Sequence, residues 1–99
     1  AIRVPKRFLS GEDFLFADVR ETVNFALNNA AQWARLRREY YGQSCRAFEA
    51  QFKFSSDDFL SRFDSGELGD DAAWFDWYAA KRGLDLWKQR HQILSGISV

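Results

Sequence analysis

Between Ala73 and Leu94 the sequence repeats every seven residues in two interleaved sets, Ala73, Ala80, Trp87 and Leu94 in one and Trp77, Leu84 and His91 in the other. On a helix of 3.6 residues per turn, that spacing keeps one stripe turned toward a second helix, as in an a/d seam. The repeat therefore predicts a helix that does not stand alone. Its bounds are predicted at 71–94. Gly69-Asp70-Asp71 supplies a carboxylate for the orphan N–H groups of the first turn, and Ser95-Gly96 ends the segment.

A second helical pattern starts at Asp18, read as the N-cap, with Glu21 three residues later in a capping-box position. Val19, Val23, Ala26, Leu27, Ala30, Ala31, Trp33, Ala34, Leu36 and Tyr40 recur at steps of three and four, and Cys45, Phe48 and Phe52 keep the phase beyond Gly42. A mid-helix glycine costs about 1 kcal/mol relative to alanine, too little to break so long a pattern. One continuous helix over 18–53 is predicted. Ser55 or Ser56 then caps a short helix over 56–65, with Asp57 and Asp58 in its first turn, Phe59, Leu60 and Phe63 on its apolar face, and Gly66 as its left-handed stop. Residues 1–16 hold the only proline, Pro5, which pushes Val4 toward extended backbone. They are read as an extended arm that docks through Phe8, Leu9, Phe14, Leu15 and Phe16, either on the helices or on another copy of the chain. The expected fold is all-α: arm, long helix, short helix, long helix, in one domain of 99 residues.

Lys and Arg total 14, as do Asp and Glu, so no global field draws the chain to nucleic acid or to an anionic membrane. The charge is segregated nonetheless. Residues 55–76 carry seven carboxylates against Arg62 alone, whereas residues 25–54 carry five cations against Glu39 and Glu49. Alternating blocks of this kind suit helices packed side by side, and they leave one concentrated acidic patch. No run approaches the 18 apolar residues of a membrane span, and the single cysteine excludes an internal disulfide, so a cytoplasmic setting is expected.

No catalytic constellation emerges. His91 sits on the seam with no defined partner, and Cys45 lies on an apolar helix face beside Phe48, where a thiol behaves as a small hydrophobe. One His and one Cys do not assemble a structural zinc site. The carboxylates Asp57, Asp58, Asp64, Glu67, Asp70, Asp71 and Asp76 miss the spacing of a calcium loop, and four of them already serve helix starts. Catalytic residues, cofactors and metals are therefore assigned to none. Aromatic residues make up 17% of the chain, and Trp74, Phe75, Trp77 and Tyr78 wrap more than half of one helix, so some rings must meet a second layer or a partner.

Phe48-x-x-x-Phe52, Ser55-Ser56-x-x-Phe59-x-x-x-Phe63, Gly66-Glu67-x-Gly69-Asp70 and Phe75-x-Trp77, in that order, resemble the small helical antitoxin-type proteins of prokaryotic toxin–antitoxin pairs over about residues 46–90. The resemblance implies a non-enzymatic protein that binds and neutralises a small toxin, often ribonuclease-like, encoded beside it. The partner-binding residues expected are Asp64, Glu67, Asp70, Trp74, Phe75, Trp77, Tyr78, Trp87 and His91. Pairing of the heptad seam between two copies would give a homodimer. The alternative is a dimeric nucleic-acid-binding regulator that uses the Arg35–Arg46 helix face, with Tyr40 and Tyr41 interleaved.

Overall fold

A computed structural model describes residues 14–99, and three helices account for most of them: α1 over Phe16–Phe52, α2 over Ser56–Asp64 and α3 over Ala72–Ser95. No strand occurs among the described residues, and the architecture is the expected all-α order of long, short and long helix. Most of the expected N-terminal arm, residues 1–13, lies outside the described residues.

The first helix begins two residues earlier than predicted. Leu15 is its N-cap and offers no side-chain bond; the Asp18 and Val19 N–H groups instead both reach the Leu15 carbonyl at 3.1 Å. Asp18 is thus a first-turn carboxylate at the positive end of the helix dipole, and the Asp18–Glu21 capping box does not form. Gly42 leaves α1 unbroken. It is buried, with the Leu84 side chain 3.7 Å from where a Cβ would stand. α1 ends at Lys53, a non-glycine residue in the left-handed region at φ 66°, whose N–H closes on the Glu49 carbonyl.

Two different serines do the work the sequence assigned to one. Ser55 is the N-cap of α2, its hydroxyl accepting from the Asp58 N–H at 3.1 Å. Ser56 is buried, its N–H donates to Glu49 Oε2 at 2.8 Å, and its hydroxyl accepts from the Trp77 indole N–H at 2.9 Å. Glu49 of α1 therefore satisfies a donor at the start of α2. Gly66 and Gly69 turn the chain back with φ of 78° and 82°, a conformation in which a Cβ is strained, and Asp71 caps α3 by accepting from the Ala73 N–H.

α3 lies antiparallel along α1. The heptad residues face α1: Trp77 and Ala80 are buried, and Ala73, Leu84, Trp87, His91 and Leu94 are half-buried. The seam therefore packs against α1 of the same chain. At the far end the Asn24 side-chain amide clasps Val99, donating from Nδ2 to its O at 2.9 Å and accepting its N–H on Oδ1 at 2.8 Å. The result is a rod of 62 × 22 × 19 Å. So thin a fold has little interior: among the described residues the buried apolar ones are Ala34, Cys45, Phe59, Trp77 and Ala80, and four of the five lie toward the α2 end.

Candidate functional site

The expected site begins as a core. Trp77 is 0% exposed, with its ring parallel to Phe59 at a centroid distance of 4.2 Å and flanked by Phe54 at 5.0 Å, Phe48 at 5.6 Å and Phe52 at 5.7 Å. Its place among the partner-binding residues is corrected: the ring has no free face, because α2 folds over it. Trp74 is half-buried against Phe52 at 4.6 Å. Tyr78 stacks on Phe63 at 4.7 Å, and its hydroxyl accepts from Arg82 Nε at 3.1 Å. Of the four rings at 74–78, Phe75 alone is mainly outward, 52% exposed, with Phe63 meeting it edge-on.

The end of α2, the turn that follows it and the first turns of α3, which carry Phe75, are acidic. Asp64, Glu67, Asp70 and Asp76 are all exposed. Arg62 pairs with Asp58 at 3.2 Å, reaches Glu67 at 3.8 Å and lies over the Phe54 ring. Asp64, Asp70 and Asp76 make no ion pair among the described residues. The structure thus separates the carboxylates into those that hold the fold and those left over. Asp57 belongs to the first group: its hydrogen bond from Lys81 Nζ, at 2.9 Å, holds its carboxyl below the usual carboxylate range. Because that pKa is depressed, the stabilisation is present above the ordinary Asp range and is lost as pH falls through the lowered value.

Trp87 and His91 do not join this cluster. Ten residues separate Trp77 from Trp87, about 15 Å along the axis of α3. There two guanidinium groups stand over the Trp87 ring, Arg37 at 4.5 Å and Arg90 at 4.8 Å from its centroid. The His91 Nδ1 faces Arg38 Nη1 at 3.2 Å; since a guanidinium only donates, Nδ1 is the acceptor. The arginines expected to form one nucleic-acid-binding face are dispersed. Arg35 is paired with Glu39, Arg37 lies on Trp87, and Arg38 and Arg46 line the opposite groove with Glu49, Lys81 and Asp85.

In that same groove Cys45 is buried, and burial raises its thiol pKa. A neutral, covered thiol is a poor nucleophile. Maleimide labelling of the native protein is expected to run about a hundredfold or more slower than labelling of the urea-unfolded chain, since reaction awaits opening. Equal rates would show that the groove admits reagents to Cys45. Among the described residues, no group of three or more His, Cys, Asp or Glu side chains converges as metal ligands would. No described helix is long and apolar enough to cross a membrane.

One surface was missed by the sequence reading. Trp33, Leu36 and Tyr40 belong to the three-and-four apolar pattern of α1, but they are 63%, 48% and 65% exposed. With Arg37, Tyr41 and Trp87 they line an open groove of about 460 Å³ between α1 and α3. The signal was present in the width of the pattern. Residues 33, 36 and 40 run one or two positions ahead of 34, 38 and 41, so the apolar stripe is wider than a single partner helix covers.

No family model, curated protein or solved structure matches this chain.

Proposed function

We propose that the protein is an antitoxin-like binding domain that neutralises a small basic toxin with its acidic end. The observation that carries this is a ring in an acidic stretch of the chain: Phe75, half exposed, among exposed carboxylates of which Asp64, Asp70 and Asp76 make no ion pair among the described residues. An aromatic anchor inside a charged rim is the composition of a binding hot spot with electrostatic steering. The core beneath it, built on Trp77 and Phe59, holds Phe75 in place by packing Phe63 against it. The Gly-Glu-x-Gly-Asp turn that carries the antitoxin resemblance supplies Glu67 and Asp70 to the same rim.

The test is co-expression with the product of the neighbouring short reading frame, scored by growth rescue and co-purification. Phe75→Ser is expected to weaken the complex by about 2 kcal/mol, roughly thirtyfold, as loss of an anchor does. Reversing Asp64, Asp70 and Asp76 to Lys is expected to slow association about tenfold or more and to abolish its salt sensitivity. The thermal melt of the charge-reversed variant should match the parent, and Phe75→Ser, which loses its edge contact with Phe63, should melt a few degrees lower but fold cooperatively. Undiminished rescue by both variants would show that this end of the rod does not meet the toxin.

A further inference from the structure

We infer that the aromatic groove between α1 and α3 is a second docking surface, opposite in charge to the acidic end, and that its occupant is an acidic amphipathic helix of another protein. Two adjoining depressions, about 460 and 410 Å³, share Trp33, Arg37 and Trp87 and so form one trough along the hairpin. Leu36 and Tyr40 extend its wall at one end, and Ala30 and Leu94 extend its floor at the other. A trough between two antiparallel helices is the seat a third helix fills in an all-α layer, with anchors three and four residues apart.

Charge selects among occupants. The formal charges at this trough are Arg37, which lines it, and Arg90, and each stands over the Trp87 ring. Neither forms an ion pair among the described residues. The cation–π contact restrains each guanidinium at the ring and leaves its N–H donors for a carboxylate. A second copy is a poor fit, because a two-fold contact centred on Trp87 sets Arg37 and Arg90 against their own counterparts. A nucleic acid is a poorer fit: the exposed Trp33 and Tyr40 rings offer stacking faces, but two cations neutralise little phosphate, and backbone charge supplies most of the affinity for a nucleic acid. What suits two fixed guanidiniums beside indole and phenol rings is a helix with aliphatic or aromatic residues at i, i+3 or i+4 and i+7, flanked by Asp or Glu.

The experiment is selection from a displayed library of random 16-residue peptides on the whole chain, with counter-selection on Trp33→Ser/Tyr40→Ser. Both replaced side chains are mainly in solvent, so the counter-variant should melt with the parent. Enriched peptides are expected to show that apolar spacing with net negative charge, to bind the counter-variant at least tenfold more weakly, and to lose about tenfold on Arg37→Gln/Arg90→Gln. Basic or uncharged consensus peptides, or equal binding to the counter-variant, would overturn the inference. So would a U-rich oligonucleotide retained only by the parent, or a dimer in sedimentation that Trp33→Ser dissociates. Phe75→Ser leaves peptide capture unchanged if the two surfaces are separate, so failure here and failure of the antitoxin reading are told apart.

Discussion

Trp77→Ala is expected to remove about 3–5 kcal/mol of folding stability, the range for deleting a large buried ring. For a domain whose total stability lies between about 5 and 15 kcal/mol, that loss leaves a chain unfolded in a substantial fraction of molecules. The ring is the hub on which Phe48, Phe52, Phe54 and Phe59 converge from α1, the loop and α2, so truncation opens a cavity that no neighbour can fill without moving a helix. It also removes the one donor that the Ser56 hydroxyl accepts from in this core. Urea unfolding followed by circular dichroism measures the change. Trp77→Phe is the informative companion, since it keeps a ring in place but loses the indole N–H, and it should fall well short of the alanine loss. A Trp77→Ala loss below about 1.5 kcal/mol would mean that the ring cluster is not the centre of the fold.

Gly83→Ala and Gly42→Ala are expected to move stability in opposite directions, although both replace a mid-helix glycine. Helix propensity alone favours alanine by about 1 kcal/mol at each. At Gly83 a Cβ would stand 2.7 to 2.8 Å from Cδ1, Cε1 and Cγ of Tyr41. Cγ is the near end of that ring, so relief requires moving the whole side chain and the helix that carries it. Overpacking of this kind costs about 1–3 kcal/mol, enough to cancel the propensity gain and leave a net loss. At Gly42 the tight neighbour is the far end of Arg46, 3.3 Å away, which swings aside. Gly42→Ala should therefore raise the melting temperature by a few degrees while Gly83→Ala lowers it. A rise in both would show that Tyr41 is not locked against Gly83.

Those two residues also mark what a sequence can and cannot disclose. The α3 seam was legible because its period follows from helix geometry, and so were the Ser, Asp and Gly signals at the starts and stops of α2 and α3, which act within four residues. The Asp18 cap was misjudged for the same local reason. A good capping residue does not fix a start when the carbonyl of Leu15 already accepts from the Asp18 and Val19 N–H groups. Long-range choices were harder to see. The seam carries no label saying whether its partner is α1 or a second copy. Trp77 and Phe75, two residues apart and both aromatic, differ only in that α2 folds over one. Trp33 and Tyr40 belong to the same apolar pattern as Ala34, but α3, a single helix, covers only one side of it.

The unequal distribution of the interior gives the rod a mechanical polarity. Cys45, Phe59, Trp77 and Ala80 anchor the hairpin at its α2 end, whereas toward the other end α1 and α3 meet largely through half-buried side chains and the Asn24–Val99 clasp. Opening free energy should therefore rise along the axis, with the first half of α1 and the last turns of α3 fraying in fluctuations that leave the ring cluster shut, a gradient that native-state amide exchange reads directly. The acidic rim sits on the end that stays shut. The aromatic trough spans the region where the zipper begins to part, so whatever fills it also stitches the two helices together.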